Sequence, residues 1–321
     1  MISYEAREGE ALSSVAPLRL SSSIPTGDRF FAMVSFLPTP TPWTLKGHSF
    51  NWGQRTYLMG VLNVTPDSFS DGGEFNTPAV ALVQAQRLIE AGADIIDIGG
   101  QSTRPGAGEI SIEEELNRVL PVVQALRQLP SLVPISVDTT RAAVARAAVE
   151  AGADMVNDIS GGTFDPDMLP VVAQLDVPIV LMHIRGTPQT MQKLTEYQDL
   201  IGEIYEFLKG QIEAATAAGI DRAKIIIDPG IGFAKTYEQN LEILRKLSSF
   251  RSLGVPILVG ASRKSFIGRI LNQPDPKQRV WGTGAACCAA IANWADILRV
   301  HDVLEMRDVC RVADAIWRTG H

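Results

Sequence analysis

Cysteine, histidine and long apolar runs are what this sequence has least of. Its three cysteines, Cys287, Cys288 and Cys310, are odd in number, two of them adjacent and none at metal-ligand spacing. That argues against a disulfide framework or a thiolate metal site and for a reduced, cytoplasmic chain. No window reaches the roughly 18 apolar residues of a membrane span. The opening residues carry Glu5, Glu8 and Glu10 against one arginine, so they read neither as a secretory signal nor as a transit peptide. Bases are outnumbered, 29 against 36 acids, and a net charge of −7 disfavours a nucleic-acid partner or an anionic membrane surface. An anionic substrate therefore needs a local cationic pocket. No Gly-x-Gly-x-x-Gly follows the first strand pattern, which counts against an open dinucleotide-binding sheet.

What is present, in 321 residues that are 45% hydrophobic and 20% charged, is a globular composition able to bury a sizeable core. Residues 1–42 are rich in Ser, Pro and Thr without helical or strand period and read as a poorly ordered extension; residues 43–321 read as one catalytic domain. Trp43, Phe50 and Trp52 suggest a short hairpin covering the bottom of that domain. Strand patterns then fall at Tyr57–Leu62, Asp94–Ile98, Pro134–Val137, Met155–Asn157, Pro178–Met182, Ile225–Ile227, Ile257–Val259 and Ile297–Val300. Amphipathic stretches lie between or after them at Pro78–Ala91, Ile112–Leu129, Arg141–Ala151, Asp167–Leu175, Asp199–Ala218, Tyr237–Leu247, Gln278–Ala292 and Glu305–Arg318. Strands alternating with helices indicate βαβ units and a parallel sheet.

A partial repeat supports this. Glu90-Ala91-Gly92-Ala93-Asp94 recurs as Glu150-Ala151-Gly152-Ala153-Asp154, each copy before an apolar strand, and Asn293-Trp294-Ala295-Asp296 is a looser third. In each full copy the glycine sits where a helix ends in a left-handed residue. The stretch from Tyr57 to His301 is close to the ~250 residues typical of a closed TIM (β/α)8 barrel, with an open doubly wound sheet as the alternative.

In a barrel, function sits at the C-terminal ends of the strands, and here those ends are polar. They carry Asn63; Asp97 with Gln101, Thr103, Arg104 and Pro105; Asp138; Asn157 and Asp158; His183; Asp228 with Phe233; Ser262 with Lys264; and Arg299 with His301. Each has an ordinary reading. Asp138 can be a helix N-cap, worth ~1 kcal/mol. Asn157 and Asp228 can satisfy loop backbone, Ser262 to Lys264 can be a solvated loop, Phe233 can be core or rim, and His183 is best read as a packed, hydrogen-bonded imidazole. The run Gly284–Ala290, with Cys287 and Cys288, reads as a tightly packed helix face, with a subunit interface as one setting for it, and not as a redox site. Taken jointly, the ends converge on one mouth, where carboxylates and amides can read a flat heterocycle. Arg104, Lys264, Arg299 and His301 supply positive charge suited to a phosphorylated group.

Leu62-Asn63-Val64-Thr65-Pro66-Asp67-Ser68-Phe69-Ser70-Asp71-Gly72-Gly73, Ser102-Thr103-Arg104-Pro105-Gly106-Ala107, Ser136-Val137-Asp138-Thr139, Asn157-Asp158, Met182-His183, Asp228-Pro229-Gly230, Ser262-Arg263-Lys264-Ser265 and Arg299-Val300-His301-Asp302 together closely resemble dihydropteroate synthase of bacterial folate synthesis. The resemblance runs in order over residues 57–317. It implies condensation of 6-hydroxymethyl-7,8-dihydropterin diphosphate with 4-aminobenzoate to 7,8-dihydropteroate and diphosphate. It also implies that the C–O bond breaks ahead of attack by the aniline nitrogen and that Mg2+ is the cofactor.

Carried over, Asn63 resembles a Mg2+ ligand, and Asp138, Asn157 and Asp228 resemble the readers of the pterin's amino, amide and ring nitrogens. Lys264 would donate to the ring, Arg299 would stack on it while holding diphosphate, and His301 and Arg104 would complete the anion site. Thr103, Arg104 and Pro105 on one mobile loop, with Asp67, Phe69 and Asp71 on the other, would close over the departing diphosphate and shape the aminobenzoate site. Gly72-Gly73 would be the hinge of the second loop. Phe233 and Ser262 would line the second pocket, where sulfonamides compete in this family. A homodimer is implied as well. Two departures stand out: Gln101 where the family often has Glu, and Arg185 where a neutral residue is common. A methyltetrahydrofolate-type methyltransferase and a non-catalytic pterin-binding paralogue remain the alternatives.

Overall fold

The computed structural model describes residues 40–65, 78–104, 106–129 and 133–318. The chain divides into two units, 1–37 and 38–321, and every described residue belongs to the second. The expected extension therefore lies outside the described residues except for its last three positions, and so do Asp67, Phe69, Asp71 and Pro105.

The described chain begins with a hairpin, β1 (Trp43–Leu45) and β2 (His48–Phe50), paired antiparallel with Trp43 opposite Phe50. Its two-residue loop puts both Lys46 and Gly47 at positive φ, +49° and +79°, the turn whose twist suits a hairpin. Eight parallel strands follow: β3 (Tyr57–Asn63), β4 (Ile95–Gly99), β5 (Ile135–Asp138), β6 (Met155–Asp158), β7 (Ile179–Met182), β8 (Ile225–Asp228), β9 (Leu258–Val259) and β10 (Ile297–Val300). The helices between and after them are α1 (Pro78–Ala91), α2 (Ile112–Arg127), α3 (Ala142–Glu150), α4 (Met168–Leu175), α5 (Leu200–Ala217), α6 (Tyr237–Arg245), α7 (Ser265–Leu271), α8 (Val280–Ala292) and α9 (Val303–Trp317).

The strands neighbour one another in the order β8-β7-β6-β5-β4-β3-β10-β9. The ring is completed by a parallel bridge between Ile227 and Ile257, with Ile227 N donating to Pro256 O at 3.0 Å. This closure decides for the barrel over the open sheet.

Side-chain alternation separates two apolar layers. Met59, Ile95, Met155, Val180, Ile226, Leu258 and Ile297 point inward and form one cluster. Their strand neighbours, such as Leu58, Ile96, Val156, Ile179 and Leu298, pack outward under the helices. The hairpin plugs the lower end of the inward cluster: Phe50 lies 4.8 Å from Tyr57 and 4.6 Å from Trp43 between ring centroids. Burying Phe50 there contributes about 2–3 kcal/mol. The expected covering hairpin is thus found.

The repeated joint is also found, and its loose third copy is complete. Gly92, Gly152 and Trp294 all sit at positive φ, +106°, +120° and +71°. The next residue donates back into the helix in each copy: Ala93 to Leu88 O, Ala153 to Ala148 O and Ala295 to Ala290 O, at 2.8–2.9 Å. The aspartate that follows accepts from a backbone N–H of the adjoining strand segment, Leu58, Ile135 or Ile257, at 2.8–3.0 Å. Buried strand starts are satisfied in this way without water.

Boundaries differ from the sequence reading mainly at strand ends. β3, β5 and β8 extend to Asn63, Asp138 and Asp228, because their backbones stay in the ladder while their side chains turn polar. The short helix α7 was not anticipated. The small-residue face of α8 packs within the chain: a Cβ on Gly284 would lie 3.4 Å from Val309 Cγ2 of α9. The expected tightly packed helix face is thus found. Exposed large apolar residues of α8 and α9 are Trp281, 80% exposed, with Leu304, Val312, Ile316 and Trp317. Among the described residues no helix is long and apolar enough to cross a membrane.

Candidate active site

Four strand ends stand side by side in register: Asn63 opposite Gly99, Gly99 opposite Asp138, and Asp138 opposite Asn157. Gly99 makes the row possible. A Cβ there would lie 3.5 Å from Asn63 Oδ1 and 3.7 Å from Asp138 Oδ2, so a side chain would fill the space between those polar groups.

Beneath the row is Asp97, with no exposed surface. Its Oδ2 accepts from Arg299 Nε at 2.6 Å and from Asn157 Nδ2 at 3.2 Å, while Arg299 Nη2 donates to Asp138 Oδ2 at 2.7 Å. One arginine from β10 therefore ties together carboxylates on β4 and β5. Two carboxylates around one guanidinium are tolerable in a buried place because each is charge-assisted. Burial pushes the Asp138 carboxyl upward from its ordinary range; Arg299 opposes this and the Asp97 carboxylate adds to it.

The other half of the mouth comes from β8, β9 and β10. Asp228 Oδ1 accepts from Gly230 N at 2.7 Å. Burial pushes its pKa up to about 6 against that backbone bond and the cations Lys264, Lys235 and Arg299. Lys264 Nζ lies 4.2 Å above the Phe233 ring centroid. Burial, with Arg299 adding, draws the Lys264 ammonium down to about 8 against Asp228 and Asp138.

His301 is held by Ser262, whose hydroxyl accepts from His301 N at 3.2 Å and lies 3.0 Å from Nδ1. With the hydroxyl accepting from the backbone, its own hydrogen can go to Nδ1, which leaves the imidazole proton on Nε2. Burial first, then the cations Arg263, Arg299, Lys264 and Arg104, lower His301 to about 3. It is a neutral donor near pH 7.

The structure thus brings Asn63, Asp138, Asn157, Asp228, Phe233, Lys264, Arg299 and His301 to one mouth, with the charge of Arg104 felt at His301. Thr103 lines a cavity of about 460 Å3 beside Asp138, together with Gln101, Thr139 and Arg141. Ser262 is buried, with its hydroxyl against His301. Arg299 has Nε and Nη2 committed to Asp97 and Asp138, so carboxylates set the plane of its guanidinium.

His183 is the packed imidazole expected, buried and 4.9 Å edge-on to Phe207. Its partner was missed: buried Lys235 Nζ lies 2.8 Å from His183 Nδ1. The structural weight of Asp97 was missed too, although a charge inside Ile95-Ile96-Asp97-Ile98 is a visible signal, since such a residue needs a partner once buried. Lys235 carried no comparable signal, because a lysine shortly after a Gly-rich turn usually faces water.

Residues 59–301 match the family model described as pterin binding enzyme. The chain is 60% identical over 291 residues to a dihydropteroate synthase of Synechocystis sp., covering 91% of this chain and 100% of that one. A Xanthomonas albilineans dihydropteroate synthase solved with 4-aminobenzoic acid is 44% identical with a TM-score of 0.80, covering 87% of this chain and 98% of the other. The same organism's enzyme in complex with 7,8-dihydropteroate is 41% identical with a TM-score of 0.77, covering 86% and 98%. Fold, site and comparison agree, and the chain belongs to the pterin binding enzyme family.

Proposed function

We propose that this chain condenses 6-hydroxymethyl-7,8-dihydropterin diphosphate with 4-aminobenzoate, forming 7,8-dihydropteroate and releasing diphosphate. The observation that carries the reading is the pairing, on one barrel mouth, of a carboxylate-and-amide edge with a cluster of cations. Asp228, Asn157 and Asp138 offer acceptors and a donor to the amino and amide edge of a pterin. Lys264, Arg299, Arg104 and the neutral imidazole of His301 lie where they can receive a diphosphate. The relatives' names, and the bound 4-aminobenzoic acid and 7,8-dihydropteroate of two of them, support the same assignment.

In chemical terms the methylene C–O bond breaks, diphosphate takes the electron pair, and the aniline nitrogen forms the new C–N bond and loses a proton. Cations fixed before reaction stabilise the charge that develops on the leaving group. The aminobenzoate is assigned to the side bearing Phe233 and Thr103, where an aromatic face and a hydroxyl are available. Asp67, Phe69, Asp71 and Pro105 are assigned to the covering loops on the strength of the resemblance.

Mg2+ fits the donor set. Asn63 presents a hard oxygen at a strand end close to Asp138, whereas the described residues contain no group of three or more His, Cys, Asp or Glu side chains able to hold an ion alone. Mg2+ commonly keeps one or two protein oxygens and shares substrate phosphates. Asn63 would hold it, and its charge would offset that of the diphosphate. The exposed Trp281, Val312 and Ile316 support a homodimer, and three free cysteines support a reducing, cytoplasmic setting.

The test is direct. Purified chain, Mg2+, the pterin diphosphate and 4-aminobenzoate should release diphosphate and give dihydropteroate in equal amounts. Pterin binding without diphosphate release would instead indicate a non-catalytic binder, and methyl transfer from methyltetrahydrofolate would indicate the methyltransferase.

A further inference from the structure

Against the turn that follows β8 lies a buried cation that the reaction above does not use. Lys235 is 3% exposed, and its Nζ reaches His183 twice, Nδ1 at 2.8 Å and the carbonyl oxygen at 3.3 Å. The backbone is bent to put it there. Ala234 holds a left-handed φ of +51°, an uncommon conformation for a residue with a Cβ. Its carbonyl accepts from Tyr197 Oη at 3.0 Å, and Gly232 N donates to Asn240 Oδ1 at 2.6 Å.

The same clamp touches Asp228 through backbone. His183 N donates to Asp228 O at 2.9 Å. A side chain on Gly230 would overlap the His183 carbonyl oxygen and come within 3.0 Å of Lys235 Nζ. The turn after β8 is therefore pressed onto His183, and Lys235 closes it from below. Backbone strain of this kind persists only where surrounding contacts over-determine it.

We propose that Lys235 is a positioning residue for Asp228: clamped by His183, it braces the turn after β8 and so aims the Asp228 carboxylate at the edge of the pterin. The proposal rests on the function assigned above and names a group behind the binding edge that this function requires. Asp228 is faced by Lys264 from the start of α7, by Arg299 from β10 and by Lys235 from its own loop; Lys235 is faced by Asp228, Arg185, Lys264 and the His183 imidazole. Burial, then Lys235 and Arg185, hold His183 down to about 2, so its Nδ1 is free to accept from the ammonium. Burial also pulls Lys235 well below its ordinary value, Asp228 opposes, and Arg185 and Lys264 add to the lowering.

The test compares wild type, Lys235→Met and Lys235→Gln. Met keeps length without charge or donor, and Gln keeps a donor for the His183 carbonyl without charge. Binding of the pterin diphosphate is followed by calorimetry from pH 5 to 8, with kcat at saturating pterin and the KM for 4-aminobenzoate measured alongside. Removing a nearby cation should raise the acid limb of pterin binding by about one pH unit, which weakens binding about twofold at pH 7 and close to tenfold at pH 5. It should leave saturated kcat and the aminobenzoate KM within about twofold. The Gln variant, which spares the loop, should show the same displaced limb.

An acid limb unmoved in a folded variant would overturn the proposal, as would equal losses in pterin affinity, kcat and aminobenzoate KM. If both variants fail to fold, the proposed role is likewise rejected in favour of a purely structural one. Should the wild type itself fail to bind the pterin, it is the assigned function that falls.

Discussion

Replacing Asp97 by asparagine isolates what holds Arg299 in place. Asp97 is fully buried and uses one oxygen, Oδ2, for Arg299 and Asn157; the other, Oδ1, has no partner among the described residues. Asparagine has the same shape and can keep its oxygen towards Arg299 while turning its amide to the unused side. The loss therefore reports charge and not volume. Removing one partner of a buried ion pair costs about 3–5 kcal/mol. Three features reduce that figure here: the Arg299 side chain is 21% exposed, Asp138 still holds Nη2, and an amide oxygen still accepts one bond. About 2 kcal/mol is the expected destabilisation, or a fall of roughly 4 °C in Tm for a domain of this size.

Pterin diphosphate affinity should fall about tenfold as the guanidinium loses its aim. Urea unfolding and calorimetric titration measure the two effects. A cycle with Arg299→Met should return a coupling of at least about 1 kcal/mol. An Asp97→Asn protein within about 0.5 kcal/mol of wild type, with unchanged affinity, would refute the reasoning, because Arg299 would then be held by something else.

Three further outcomes follow from the same geometry. The Asp228 carboxyl, at about 6 in the fold against 3.8 ordinarily, takes up a proton on folding within that window. It favours the fold most below pH 3.8 and loses that contribution as pH rises through about 6. Asp228→Asn should therefore flatten this part of the ligand-free Tm–pH curve, and an unchanged slope would contradict the assignment. Ser262→Ala frees His301 and should raise the KM for the pterin diphosphate several-fold at a stability cost of about 1 kcal/mol; steady-state kinetics with a melting curve decide it. Gly230→Ala meets both a φ of +74° and the His183 carbonyl. A loss of about 3 kcal/mol or more is expected, read as a lower urea midpoint.

Much of the architecture was legible before any fold was known, because its signals are local. Strand and helix periods, the Gly92 and Gly152 joints and the aromatic hairpin each depend on residues a few positions apart. The polar strand ends were legible for the same reason: Asn63, Asp138, Asn157 and Asp228 interrupt apolar runs where a buried polar group demands a purpose. The extents of those strands were read short, since a polar side chain looks like the start of a loop even when its backbone remains in the ladder.

What only the tertiary structure decided is partnership. Arg299 and Asp97 stand 202 positions apart, and nothing in either neighbourhood indicates that barrel closure sets one beside the other. The pairing of Lys235 with His183, the turning of Ser262 towards His301 and the burial of the small α8 face against α9 are of the same kind. Trp294 makes the point from the other side, taking the left-handed position that glycine holds in the sister joints because its hydrogen bonds, and not its residue type, define the turn. Local composition determined which elements form and where polarity gathers. Register and closure of the ring determined which charges meet, because electrostatic partners are chosen by distance in space and not by distance along the chain.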